Sequence, residues 1–344
     1  MDSTPSLRER LISSWYLPHL TLLTAALLPL SWLFRVISDC RRALYRSGLM
    51  RSETVRVPVI IVGNIAVGGT GKTPLAAWLV RALRQRGRHP GIVARGYRGA
   101  DPAVRAVTSD DDPQQSGDEP VLLARSGVPV WIGADRVAAA RGLLAAHQDV
   151  DVIISDDGLQ HYRLARTVEI VVIDGARGFG NRSRLPAGPL REPVARIATA
   201  DAVVVNSAPA TAESIAYAGI PEFSMRLTGE RLVSLNDPSR SIEPAALRGK
   251  RVHAIAGIGN PERFFAALRA GGLDPVCHPF PDHHQYSAKD LDWPDADAIL
   301  MTDKDAIKCR SFADPRMWRL PVEAEVGPGL IELILEKLNG RQTA

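Results

Sequence analysis

A chain of 344 residues, 45 % hydrophobic and 23 % charged, has room for one large or two ordinary domains and can bury a core without disulfide staples. Its three cysteines, Cys40, Cys277 and Cys309, fall in no CxxC or metal-ligand spacing, which fits reduced thiols in a cytosolic setting and argues against a zinc centre. Residues 1–56 hold eight arginines against Asp2, Glu9, Asp39 and Glu53, the whole of the net charge of +4; the remainder is balanced and demands no nucleic-acid partner. Arginine outnumbers lysine 36 to 6, so a lone arginine means little here.

From Leu11 to Phe34 there is no Asp, Glu, Lys or Arg. As one helix this stretch would reach roughly 36 Å, against a hydrocarbon core of about 30 Å. Pro18, His19, Pro29 and four Ser/Thr residues make it a poor span, whereas Trp15, Tyr16 and Trp32 suit a membrane interface. Arg35, Arg41, Arg42, Arg46 and Arg51 follow and suit anionic headgroups. The leading expectation for residues 1–50 is an apolar, membrane-associated helix lying at the interface. A single span with the rest cytoplasmic, and a helix packed on the protein's own core, stand as alternatives. No A-x-A site follows the run, which disfavours a cleaved signal.

Beyond residue 55, short apolar runs alternate with amphipathic stretches. Val57–Val62, Gly91–Ala94, Val128–Ile132, Val150–Ile154, Val168–Ile173 and Ala202–Val205 read as buried strands; Pro74–Arg86 and Arg136–His147 read as helices. All-apolar, β-branched strands separated by helices predict a doubly wound parallel sheet covered on both faces, over residues 51–222. After turns around 222–250 a second rhythm follows: strand Val252–Ala256, helix Pro261–Ala270, strands Pro275–His278 and Ala298–Met301, and a closing helix Gly329–Leu338. Residues 223–344 are therefore predicted as a smaller α/β domain.

The most informative stretch is Val59–Pro74, where a buried strand enters a glycine-rich turn, then Gly71-Lys72-Thr73, then a helix. This is the setting of a Walker A motif. Over Ala66, Val67, Gly68, Gly69, Thr70 and Gly71 the glycines let backbone N–H groups turn inward around phosphates, and the helix N-terminus adds its positive end. Lys72 is placed to reach the β- and γ-phosphates of ATP, and the Thr73 hydroxyl to ligate Mg²⁺. Ala66 stands where the motif usually has glycine. Strand Val150–Ile154 ends in Ser155-Asp156-Asp157, a Walker B arrangement in which Asp156 or Asp157 holds Mg²⁺; spacing does not choose between them. Gly117-Asp118-Glu119-Pro120 reads by itself as a helix start with Asp118 as N-cap. In Pro281-Asp282-His283-His284 the paired histidines fit metal ligation, acid–base work or simple exposure.

Together these motifs resemble those of the tetraacyldisaccharide 4′-kinases of lipid A synthesis. The resemblance rests on VGN-x₃-GG-x-GKTP (62–74), ARGYRG (94–99), GDEP (117–120), DDGLQH (156–161), RLPAGPLREP (184–193), PDHHQY (281–286) and TDKDAIK (302–308), seven motifs in order over nearly the whole chain. It implies transfer of the ATP γ-phosphate to the 4′-hydroxyl of a tetraacylated disaccharide 1-phosphate on the cytoplasmic face of the bacterial inner membrane. It also implies that Asp118 and His283 are the acid–base pair, the histidine delivered by the smaller domain. Arg182, Arg184 and Arg191 are candidates for the acceptor's 1-phosphate. Asn206 and Thr302–Asp305 are candidates for the nucleotide. The competing class is a membrane-recruited switch or partitioning ATPase, whose KGGxGKT loop is similar; Val67 stands where that loop has its signature lysine. A GTPase is weaker still, since residues 302–305 do not give N-K-x-D.

Overall fold

The computed structural model describes residues 7–17, 19–96, 103–206 and 219–340. Tyr97, Arg98 and Gly99 of the ARGYRG motif, and Pro18, lie outside them.

The N-terminal segment forms three helices where one continuous helix was expected: α1 (Leu7–Ser14), α2 (Leu22–Ala26) and α3 (Leu28–Arg46). Local caps break the run. Thr21 and Thr24 form a capping box that starts α2, and Pro29 sits in the first turn of α3. Among the described residues no helix is long and apolar enough to cross a membrane, so the single-span alternative is not met. One side of the segment packs on the protein. The Trp15 indole N–H donates to the Pro186 carbonyl at 3.0 Å, and the Ser31 hydroxyl to the Arg184 carbonyl at 2.9 Å. The other side of α3 leaves Leu30, Trp32, Leu33, Val36 and Ile37 exposed.

β1 (Val59–Gly63) leads into the glycine loop and α4 (Lys72–Gln85). In chain order follow β2 (Pro90–Ala94), β3 (Arg105–Val107), α5 (Pro113–Ser116), α6 (Asp118–Ala124), β4 (Val130–Ile132), α7 (Arg136–Ala146), β5 (Val152–Asp156), β6 (Val168–Asp174), β7 (Ala202–Asn206) and β8 (Glu222–Thr228). The smaller sheet is built from β9 (Leu232–Ser234), β10 (Ser241–Ile242), β11 (Val252–Ala256), β12 (Val276–Pro279), β13 (Ala298–Thr302) and β14 (Met317–Leu320), with α8 (Pro261–Ala270) and α9 (Asp303–Cys309). The chain then closes with β15 (Glu323–Val326) and α10 (Leu330–Gly340).

Among the described residues the large sheet runs β15-β8-β7-β6-β1-β5-β2-β4-β3, parallel throughout except at its two edges, β15–β8 and β3–β4. Alternate residues of β1 enter different cores. Ile60 and Val62 pack with Leu75, Leu79 and Leu83 of α4, while Val59 and Ile61 pack with Val137, Ala140 and Leu143 of α7. Each such buried aliphatic side chain contributes about 1.5–3 kcal/mol relative to exposure. β1 thus lies inside the sheet, flanked by β5 and β6, with its carboxyl end opening on the crevice where α/β sheets bind ligands.

The expected division at residue 223 does not hold at the C-terminus. β8 and β15 join the large sheet, and α10 buries Leu330, Ile331, Ile334 and Leu338 in the same core as α4. The smaller lobe is therefore residues 232–320, and the chain leaves the large lobe and returns to it. An apolar helical stripe such as that of α10 reveals that a partner is needed, not which one.

Candidate active site

The glycine loop follows from backbone conformation. Gly68 has φ +113° and Gly71 φ +96°, the region that L side chains avoid. A Cβ on Gly71 would sit 2.5 Å from Asn206 Nδ2 and 2.9 Å from Met225 Cε. The Asn206 amide instead donates to the Thr70 carbonyl at 2.9 Å, and the Asn64 amide to the Thr70 hydroxyl at 3.2 Å. Asn206 thus clamps the loop from the end of β7. Ala66 makes an isolated antiparallel bridge with Leu190, and the Val67 N–H donates to the Pro189 carbonyl at 2.9 Å, so the start of the loop leans on RLPAGPLREP.

At the end of β5 the two carboxylates part company. The Thr73 hydroxyl donates to Asp156 Oδ2 at 3.3 Å, while Asp156 Oδ1 is buried without a partner. Burial, with the neighbouring Glu119 charge, raises the Asp156 carboxyl to about 7, against the pull of Lys72. Asp157 has φ +49° and turns toward cations: Lys72 Nζ lies 3.6 Å from Oδ1, and Arg191 Nη1 lies 3.1 and 3.0 Å from the two oxygens. Burial opposes its ionisation, but Lys72 and Arg191 outweigh it and hold Asp157 well below the ordinary carboxylate range.

The second cluster bridges the lobes. Gly117 is the N-cap of α6, so Asp118 is its first helical residue and not the cap expected. Asp118 is buried, and His283 Nδ1 lies 3.0 and 2.9 Å from its two oxygens across 165 residues of sequence. His283 has φ +64°, with its N–H donating to the Gly257 carbonyl at 3.3 Å. Burial would raise the Asp118 carboxyl, but the His283 hydrogen bond and the Lys304 charge lower it to about 2. Among the described residues the non-glycine positions with positive φ are Asp157 and His283, within the motifs above, and Arg182, two residues before RLPAGPLREP. Strained backbone of this kind clusters at functional sites.

The paired histidines have different environments. His284 rests against Phe280 and Tyr286, at 4.7 and 4.8 Å between ring centroids, with Nε2 3.7 Å from Asp290. Asp305, one of the nucleotide candidates, is fully buried; it accepts from Gly257 N–H at 3.0 Å and from the Thr302 hydroxyl at 2.7 Å, and Lys308 Nζ lies 2.8 Å away. It therefore buttresses the smaller lobe and faces no open space. Two of the three acceptor-phosphate arginines are also engaged internally: Arg191 on Asp157, and the buried Arg184 on Asp39 of α3 at 2.7 Å. Arg182 alone of the three is exposed.

Three further residues matter in this neighbourhood: Lys304 and Glu119, which lie inside stretches already singled out but without this role, and Arg136, which the sequence reading missed. Lys304 places its ammonium within 3.4 Å of Glu119 and 3.2 Å of Asp282. Glu119 joins the two clusters, touching Lys304 and acting on Asp156. Arg136, buried at the start of α7, donates to the Gly133 carbonyl at 2.9 Å and is pulled down to about 10 by burial, against the attraction of Asp157 and Asp156. The signal of Arg136 was hidden by the abundance of arginine; Lys304 lay within Thr302–Asp305, offered there only as a candidate for the nucleotide.

A glycine loop between a buried strand and a helix N-terminus, with paired carboxylates and an acid–imidazole couple that joins two lobes, is the layout of an α/β phosphotransferase. The family model of tetraacyldisaccharide-1-P 4′-kinases matches residues 23–339, and the chain belongs to this family. It is 52 % identical over 320 residues to the tetraacyldisaccharide 4′-kinase of Azoarcus sp. (strain BH72), covering 92 % of this chain and 93 % of that one. To the enzyme of the same name from Chromobacterium violaceum it is 48 % identical over 330 residues, covering 94 % and 96 %. Its fold is similar to the crystal structure of LpxK from Aquifex aeolicus in complex with ATP, with TM-score 0.75 and 29 % identity over 92 % of this chain and 100 % of that chain.

Proposed function

We propose that this kinase transfers the ATP γ-phosphate to the 4′-hydroxyl of a tetraacylated disaccharide 1-phosphate, in lipid A synthesis at the cytoplasmic face of the bacterial inner membrane. The observation that carries the reading is the Asp118–His283 contact across the two lobes, linked through Lys304 and Glu119 to the Asp156 carboxylate at the end of β5. Residues 66–73 are the P-loop around the triphosphate, with Lys72 on its terminal phosphates. Mg²⁺ fits Thr73 and Asp156: the unpartnered buried Oδ1 is an acceptor awaiting a cation, and its raised pKa marks a charge lacking compensation. Among the described residues no three His, Cys, Asp or Glu side chains gather to hold a metal by themselves, so the ion's remaining ligands would come from phosphate and water. When bound, it would neutralise charge on the phosphates. Asp157 does a different task and positions Lys72 and Arg191.

The exposed apolar stripe of α3, followed by Arg41, Arg42 and Arg46, supports docking at a membrane surface without crossing it. Docked there, the enzyme would meet a substrate whose acyl chains stay in the bilayer and whose sugar reaches the crevice. The test is incubation of the purified chain with Mg²⁺-ATP and the disaccharide 1-phosphate in detergent, with the lipid products weighed by mass spectrometry. A gain of one phosphate at the 4′-position is expected; an unaltered lipid would remove the substrate assignment.

A further inference from the structure

Lys304 lies in the first turn of α9, right after β13, and its side chain crosses from the smaller lobe to α6 of the larger. It is 16 % exposed. Its Nζ lies 3.2 Å from Asp282 Oδ1, 3.4 Å from Glu119 Oε1, 3.7 Å from Asp118 Oδ2 and 3.4 Å from His283 Nε2. Three carboxylates hold this ammonium charged; burial disfavours the charge, but Glu119, Asp118 and Asp282 raise its pKa well above that of an ordinary lysine.

The contact with His283 has a chemical consequence. An ammonium offers hydrogens and accepts none, so the ring nitrogen it faces must present a lone pair. The other ring nitrogen, Nδ1, faces both oxygens of a carboxylate that stays ionised down to about pH 2, so the ring hydrogen belongs there. Nε2 also has Asp282 Oδ2 at 3.7 Å, beyond hydrogen-bond reach, so the nearer ammonium at 3.4 Å decides: one residue on each side of the imidazole selects the tautomer with its hydrogen at Nδ1 and its lone pair at Nε2.

We propose that Lys304 is a positioning residue for the phosphoryl transfer: it holds His283 as the neutral Nδ1–H tautomer and keeps the Nε2 lone pair ready for the acceptor hydroxyl. This rests on the kinase reading above. When the sugar arrives, its 4′-hydroxyl takes the place of the ammonium at Nε2, and Lys304 keeps its carboxylate partners. The hydroxyl proton passes to Nε2 and the hydroxyl oxygen bonds to the γ-phosphorus. The bond from that phosphorus to the β–γ bridging oxygen breaks, and ADP leaves with its electron pair. The imidazolium that forms faces the Asp118 carboxylate, which stabilises it. Among the described residues the charged groups around the ring include Asp118 and Glu119 from α6, Lys304 and Lys308 from α9, and Asp282 in its own loop.

Two measurements test the proposal. In the full-length wild-type chain without substrate, ¹⁵N NMR of the histidine rings should show His283 protonated at Nδ1 and bare at Nε2 near neutral pH; a ring carrying its hydrogen on Nε2 overturns the proposal. In the transfer assay, Lys304→Met should lower kcat at least about tenfold while the KM for ATP stays within about twofold. It should also move the acidic limb of kcat/KM up by about one pH unit, because a proton at Nε2 is easier to accept once the adjacent positive charge is gone. Lys304→Arg keeps the charge and should leave that limb at its wild-type position. A Lys304→Met enzyme with wild-type kcat, or one slowed with an unmoved acidic limb, overturns the proposal and makes Lys304 a brace between lobes. Should that variant fail to fold, the wild-type tautomer still decides. Failure of the wild-type chain to phosphorylate the disaccharide would count against the kinase reading alone, since the tautomer measurement needs no acceptor.

Discussion

The glycine loop and the Asp118–His283–Lys304 cluster, linked through Glu119 and Asp156, are built by opposite means. The loop is one contiguous segment between β1 and α4, shaped by glycine conformation and by the helix N-terminus; its working groups are mostly backbone. The cluster uses side chains alone, gathered from α6, a loop after β12 and α9, and it exists only while the two lobes sit together. The first takes its conformation from local sequence and is clamped within the large lobe by Asn206 and Pro189, whereas the second is a product of the meeting of two lobes and responds to anything that moves the smaller one.

The sharpest test of this contrast removes the one long side chain the loop depends on. Lys72→Ala should cost about 10³-fold in phosphoryl transfer, because a fixed charge at the terminal phosphates is lost. Thermal stability should be little changed, since the loop's shape comes from its backbone and from the Asn206 clamp. A Lys72→Ala enzyme with near-normal kcat would remove the triphosphate from this loop.

In the cluster, charge is coupled to folding. The folded-state pKa of Asp118 is depressed to about 2 from an ordinary 3.8. A depressed carboxylate contributes stability that is fully present above its unfolded value and is lost as pH falls through its folded value. The window is therefore from about pH 4 down to about pH 2, and the contribution is about 2 kcal/mol. Asp118→Asn should lower stability by that order at neutral pH. The wild-type advantage should then shrink to a few tenths of a kcal/mol at about pH 2 and vanish below it, measured as the difference in urea midpoints between the two proteins. An advantage that grew on acidification would contradict the sign of the shift.

These two halves also differ in how far the sequence disclosed them. The strand–loop–helix was legible because its signals are local: four apolar residues, glycines at fixed offsets and Gly71-Lys72-Thr73. Strands β11 and β13 and helices α4, α7 and α8 were readable for the same reason. The partnership of Asp118 with His283 came only from the family resemblance, since no local pattern joins residues 165 apart. The return of β15 and α10 to the large lobe and the engagement of Arg184 and Arg191 inside the protein were not legible. Each depends on which surface a segment meets, and hydrophobic pattern does not encode that.

The lobes also meet directly. A Cβ on Gly259 would lie 2.6 Å from the Gly69 nitrogen, and Arg263 of α8 donates to Asp174 at the end of β6 at 2.8 Å. Backbone against backbone has no rotamer to relieve it, so Gly259→Ala should push the lobes apart at the phosphate loop. About a tenfold loss of kcat/KM is expected, with each lobe still folded, because overpacking of this kind costs about 1–3 kcal/mol. Unaltered kinetics would show that the lobes need not touch there during catalysis.

The smallest expected effect asks whether the N-terminal segment reaches the loop through a specific bond or only through bulk. The Tyr16 hydroxyl donates to the Val67 carbonyl at 3.4 Å, near the limit for a hydrogen bond, while its ring lies under the Arg177 guanidinium at 4.9 Å. A bond that long and half-buried contributes little; the ring, wedged between Arg177 and the loop at Gly68, contributes contact area and a cation–π attraction of about 0.5–1 kcal/mol. Tyr16→Phe should therefore change kcat/KM by no more than about twofold, and Tyr16→Ala by about fivefold, since about 1 kcal/mol of restraint on the loop goes with the ring. Equal effects of the two substitutions would assign the influence to the hydroxyl. The N-terminal segment would then set the glycine loop by a directed bond, adding to the clamps from Asn206 and Pro189 that already reach the loop from elsewhere in the chain.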